Sequence, residues 1–176
     1  MAGSLIKIDE EIVTSAVASV TLTGIDSTYD VYEFIISNLK VSSDDVPALR
    51  VTKSGTADET ANYDYAFKNL KADTTFSNGS GTNETKAFIM PTVDDGTGNA
   101  GANANAVIYL FNFPNSSEYS FLTVEGTQFQ ANEHTVRGYQ GGFVHTVASA
   151  SDGVQIFNIN GNNIASGTFT LYGLKK

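Results

Sequence analysis

Residues 29–37 read YDVYEFIIS, and their alternation decides the class of fold. Tyr32, Phe34 and Ile36 fall on one face of an extended segment, and Val31, Glu33 and Ile35 on the other. A period of two over this length is a strand pattern, because a helix would bring apolar residues together at spacings of three and four. Residues 105–113, NAVIYLFNF, repeat it and are halted by Pro114-Asn115-Ser116-Ser117. Working outward, VASVTLT (17–23) alternates and is broken by the turn residues Gly24-Ile25-Asp26-Ser27. ALRVTK begins after Pro47, which suits an edge strand because proline cannot donate to a ladder. Tyr63, Tyr65 and Phe67 alternate as a strand, although Tyr63, Phe67 and Leu70 also fit helical spacing; the strand is preferred.

The rest of the chain continues in the same vocabulary. KAFIM (86–90), YSFLTVEGTQF (119–129), GGFVHTVA (141–148), GVQIFNI (153–159) and SGTFTLYGL (166–174) are strand-like. Residues 54–61 and 73–85 read as polar loops, and Asp152-Gly153 and Asn160-Gly161 as hairpin turns. The glycine- and asparagine-rich run 94–106 has no large apolar anchor until Val107, and 98–104 is expected to be the most mobile interior loop. Nine or ten short strands with turn signals at this spacing specify an all-β antiparallel sandwich or barrel. The sandwich domain spans 17–176. Residues 1–16, with LIKI followed by DEEIV, are set apart as an extended N-terminal arm, the alternative being an extra strand paired elsewhere.

Composition supports this class. Ser, Thr and Asn number 16, 19 and 15 against 29 charged residues, and such side chains compete with helix by bonding to the local backbone. A chain of 176 residues suits one domain with its own core. There is no cysteine and there are only two histidines, His134 and His145, so thiolate chemistry and a multi-histidine metal centre within one chain are excluded. The net charge of −9 is uneven: residues 1–95 hold seven basic and fifteen acidic side chains, residues 96–176 three and four. Without a basic stripe, nucleic acid and anionic membrane surfaces are poor partners. The acidic balance serves solubility or, on the sharper reading, an acidic face docking onto a basic partner.

Motifs with chemical meaning are few. Gly96, Gly98 and Gly101 match a dinucleotide fingerprint, but no helix pattern follows, so the run is read as a loop. Asp94-Asp95 and Asp44-Asp45 offer some calcium ligands yet lack a calcium-loop spacing, and solvated turn carboxylates are the preferred reading. His145 lies in a strand pattern and is expected to bond a neighbour there; no nucleophile elbow accompanies it. Asn78, Asn83 and Asn115 begin glycosylation sequons, read as accidents of composition because the N-terminus has no secretion-signal pattern. No catalytic residue, metal ligand set or cofactor is assigned, and the chain is read as a non-enzyme. Most aromatics suit a core, with Tyr119, Phe129 and Tyr139 the better surface candidates.

From Gly24 to Phe34, GIDSTYDVYEF resembles the opening strand of small β-sandwich virion structural proteins of tailed bacteriophages. AVIYLFNFPNSSEY (106–119), the Gly141-Gly142 pair and VQIFNINGNNIASGTFTLYGLK (154–175) are similar to later segments of that group, in the same order. The resemblance covers about half the chain, and its motifs are strand pattern and turn residues without chemistry. It implies a jelly-roll-like sandwich of about 8–10 strands. It further implies a capsid decoration or cement protein, made in the bacterial host cytoplasm and placed on the capsid surface of the virion. The implied partner is the major capsid protein, and a homotrimer would match local threefold junctions. Leu5, Ile6, Lys7 and Ile8, apolar or amphipathic residues on the arm, are the candidate capsid-binding residues. The alternative is a tail or fibre-tip module that binds a host-surface glycan.

Overall fold

A computed structural model describes residues 4–72, 76–99, 101–130 and 133–175. Thirteen strands are formed among them: β1 (Ser4–Val13), β2 (Ser19–Thr23), β3 (Val31–Val41), β4 (Pro47–Lys53), β5 (Thr56–Ala57), β6 (Tyr63–Lys71), β7 (Ser77–Glu84), β8 (Ala87–Phe88), β9 (Ala104–Phe111), β10 (Ser120–Gln130), β11 (Thr135–His145), β12 (Gly153–Asn158) and β13 (Ile164–Lys175). An eight-stranded antiparallel sheet has the order β1-β13-β3-β9-β10-β11-β6-β7, and a second sheet has the order β2-β12-β4-β5, with β8 also on β4. The all-β, antiparallel, sandwich-like architecture is as the alternation predicts.

The core lies between the sheets. Tyr32, Phe34 and Ile36 of β3, Ile108 and Leu110 of β9, and Leu122 and Val124 of β10 point inward from the large sheet. Val20 and Leu22, Leu49 and Val51, and Val154 and Ile156 oppose them from the small one, and all belong to one buried cluster. Removing these side chains from water is the dominant favourable contribution. The turn of the GIDSTY motif is locally fixed: the buried Tyr32 hydroxyl donates to the Asp26 carbonyl at 2.7 Å and accepts the Asp26 N–H at 3.0 Å.

Several expectations are corrected. Residues 4–13 are no free arm; β1 pairs with β13 from Ser4↔Lys175 to Val13↔Gly167, so the extra-strand reading holds for them. Polar residues 77–84 form β7 because Gly79 and Gly81 leave room for the Phe67 and Tyr65 rings of the neighbouring strand β6. Pro47 does not put β4 at an edge; it occupies the first position of a strand paired on both sides, where no ladder donor is needed. Gly153 is no hairpin turn but a strand residue wedged between Thr23 and Thr52. Gly161, at φ +83°, does turn the chain, but between sheets rather than within a hairpin. In the expected mobile loop 98–104, of which Ala100 lies outside the described residues, the Asn99 N–H donates to the Gly96 carbonyl and the Ala102 N–H to the Asn99 carbonyl.

Candidate functional site

The four candidate docking residues share one sheet edge but not one face. A bulge leaves Ile8 unpaired between Lys7↔Tyr172 and Asp9↔Leu171, and Ile8 packs against the core beside Gly24. Leu5 is 43% exposed and sits opposite Leu174, which is also exposed. Ile6, 39% exposed, faces the other way, opposite Gly173 and near Tyr29. Lys7 is exposed and pairs with Glu10 at 3.1 Å. Among the described residues β1 has no second strand neighbour, although the Asp9 carboxylate accepts the Thr23 N–H at 2.9 Å from the small sheet.

Folding unites the two acidic pairs that the sequence separates. Carboxylate oxygens of Asp44, Asp94 and Asp95 come within 4.8 Å of one another. One oxygen of each already accepts a loop amide: Asp95 N–H on Asp44, Gly96 N–H on Asp94 and Thr97 N–H on Asp95. The buried Asp45 beside them accepts from Val46, from the backbone and side chain of Asn160, and from Asn162. It thereby ties the loops around 45, 93 and 160 together. This arrangement is chiefly turn architecture: carboxylates satisfying amides where strands end.

His145 is fully buried at the end of β11, with its ring 4.9 Å from that of Tyr63 and Nε2 3.2 Å from the Asp58 carboxylate. Lys53 Nζ lies 2.7 Å from the same oxygen. Burial lowers the imidazole pKa, the Lys53 charge adds to this, and Asp58 opposes both. Burial would raise the Asp58 carboxyl, but hydrogen bonds from Lys53 and Thr60 hold it well below the usual range. Ser120, also fully buried, is the cross-strand neighbour of His145. The serine, histidine and aspartate are thus near one another, yet both Ser120 and His145 are closed to solvent, so no substrate reaches them in this conformation.

The outer face of the large sheet is where the sequence is least like an ordinary solvated surface. One cross-strand row runs Lys7, Tyr172, Glu33, Tyr109, Thr123. The next runs Val31, Phe111, Phe121, Val144. Tyr109 and Phe121 are 38% and 45% exposed. Phe121 borders a shallow depression shaped by Ala66, Ser80, Thr123, Gly142 and Val144. Glu33 is only 9% exposed although it points away from the core, and among the described residues it has no hydrogen-bond or ion-pair partner. Burial raises its pKa.

Of the aromatic surface candidates, Tyr119 is exposed and Phe129 half-buried. Tyr139 is instead a core residue whose hydroxyl donates to the Phe88 carbonyl at 2.6 Å. Tyr109, Phe121 and Glu33 carry no distinguishing motif, because regular alternation by itself points only to a core face. The available signal was the double-sided apolar pattern of VYEFII and VIYLF, more than a half-buried strand requires. No family model, curated protein or solved structure matches the chain.

Proposed function

We propose that the protein is a virion structural protein, a jelly-roll-like sandwich that decorates and reinforces a phage capsid by binding the assembled lattice. The reading rests on the resemblance of GIDSTYDVYEF and VQIFNINGNNIASGTFTLYGLK, and one structural observation supports it most. The β1 edge offers the exposed Leu5 and Ile6 on a strand that has, among the described residues, no second strand neighbour, a form suited to strand addition by a partner. A subunit that binds only the assembled shell stabilises it by mass action. Trimerisation about local threefold points would multiply each weak contact. The motifs of the resemblance fold into strands and turns, consistent with a scaffold rather than a catalyst.

The tail or fibre-tip reading draws on Phe121, whose open ring beside Ser80 and Thr123 suits stacking against a sugar. Copy number separates the two. Quantitative gel densitometry of purified virions should find on the order of hundreds of copies for a shell protein, as lattice symmetry requires. Tens or fewer would end the decoration reading. Capsid pull-down with Leu5→Ser/Ile6→Ser should then lose binding without loss of fold.

A further inference from the structure

We infer that the outer face of the eight-stranded sheet docks a protein partner that presents an arginine side chain from an apolar surface, with Glu33 as its counter-charge and Tyr109 and Tyr172 as its walls. The inference rests on this face alone and holds whether or not the partner is a capsid.

An antiparallel sheet with one solvated face alternates apolar-in and polar-out. Here β3 and β9 break that rule, with Val31, Ile35, Val107, Tyr109 and Phe111 all turned outward around Glu33. Covering an ionised carboxylate without giving it a partner is strongly unfavourable. The Glu33 side chain is nine-tenths buried among its neighbours while its carboxylate reaches solvent at the face, so a surface that covers it must bring a counter-charge. Lys7, the cation of its own row, is engaged by Glu10. Its neighbours across both strands are tyrosines, whose side chains at directly paired positions stand close beside it.

That combination selects the chemistry of the occupant. A guanidinium forms two parallel bonds to a carboxylate, stacks on aromatic faces, and is weakly enough hydrated to be desolvated at an interface. An ammonium meets only part of this description. The surrounding Val31, Ile35 and Phe111 reward an apolar rim around the arginine. The net charge of −9 steers a basic partner toward the subunit. A second copy laid on the same face by a twofold axis would bring acid against acid, which disfavours self-association there.

The test is a nuclear magnetic resonance titration with N-acetyl-arginine amide, observing the Glu33 carboxyl carbon and the Tyr109 and Tyr172 rings. Saturable shifts at all three groups, a lowered Glu33 titration midpoint and weakening by salt are expected. The lysine analogue should bind more weakly and the glutamine analogue not at all. Glu33→Gln, nearly isosteric, should weaken binding roughly tenfold or more, and Tyr109→Ser, at an exposed position, should weaken it with the fold unchanged. Absence of shifts at Glu33, or equal response in Glu33→Gln, overturns the inference. So does concentration-dependent dimerisation through this face in sedimentation, which would assign it to a second copy.

Discussion

Lowering the pH from 7 to 5 should destabilise this protein through His145. The imidazole is fully buried, and its proton affinity is depressed by desolvation first and by the Lys53 charge second. Unfolded, the same side chain titrates at about 6.5. Between the folded and unfolded midpoints the unfolded chain therefore binds more protons, and stability falls as pH falls. It is fully present above about pH 6.5 and is lost at no more than about 1.4 kcal/mol per pH unit for one proton. Over the interval from 6.5 to 5.0 the loss is bounded at about 2 kcal/mol, or roughly 4–8 °C in melting temperature for a domain of this size.

Two other carboxyls titrate with different signs. Asp58, held low by Lys53 and Thr60, loses its contribution only as pH falls below the ordinary aspartate range. Glu33, raised by burial, contributes in the opposite sense: the folded state gains stability as pH falls through its raised midpoint. The difference between wild type and His145→Gln in urea unfolding at pH 7, 6 and 5 isolates the histidine. His145→Phe serves as a second variant, keeping the Lys53–Asp58 pair and removing the titration. The variants should show the flatter profile. An equal pH dependence in the variants, or an imidazole that titrates at or above 6.5 in the folded protein, would refute the reasoning.

Gly153→Ala should cost about 3 kcal/mol, the upper end of overpacking, because a Cβ there would stand 2.1 Å from the Leu22 carbonyl oxygen; an unchanged urea midpoint would contradict the wedge between β2 and β4. Tyr32→Phe should lose about 1–3 kcal/mol by orphaning the Asp26 N–H and carbonyl, read as a lower melting temperature at unchanged near-ultraviolet signature. Deleting residues 2–11 should lower stability by about 2–4 kcal/mol through loss of Ile8 packing and the Asp9 bond to Thr23, and normal melting would restore the free-arm reading. Melting with and without a chelator should agree, because loop amides and Asp45 already hold the turns around Asp44, Asp94 and Asp95; a large fall would identify a structural cation.

What could be read from the chain followed from local periodicity. β3 and β9 were plain because alternation is a property of neighbouring residues, and β6 was separable from a helix by the same test. β7 was not, since SNGSGTNE has no apolar face; it exists because the glycines admit two aromatic rings from β6. The trio Asp44, Asp94 and Asp95 depends on a pairing across about fifty residues, made by the Asp45–Val93 bridge, and no spacing rule anticipates it. The place of β1 was equally non-local, because its partner β13 is the last strand of the chain.

Periodicity also contained more than the fold needed. A sandwich core requires one apolar face per strand, and Tyr32, Phe34, Ile36, Ile108 and Leu110 supply it for β3 and β9. Val31, Ile35, Val107, Tyr109 and Phe111 add nothing to that core, and outward exposure of such side chains is a liability for solubility and for unwanted association. Their surplus therefore marks the face where fold requirements end and other demands on the sequence begin. A glutamate at the centre of that surplus sharpens the argument. For stability alone, threonine or valine would suit position 33 better than an unpaired glutamate whose stem is packed among its neighbours and whose carboxylate alone reaches solvent. An apolar surface that served only to associate would likewise favour an uncharged residue there. A counter-charge arriving with the partner satisfies both conditions at once: it neutralises the carboxylate when the face is covered, and it makes covering by a surface without that charge unfavourable.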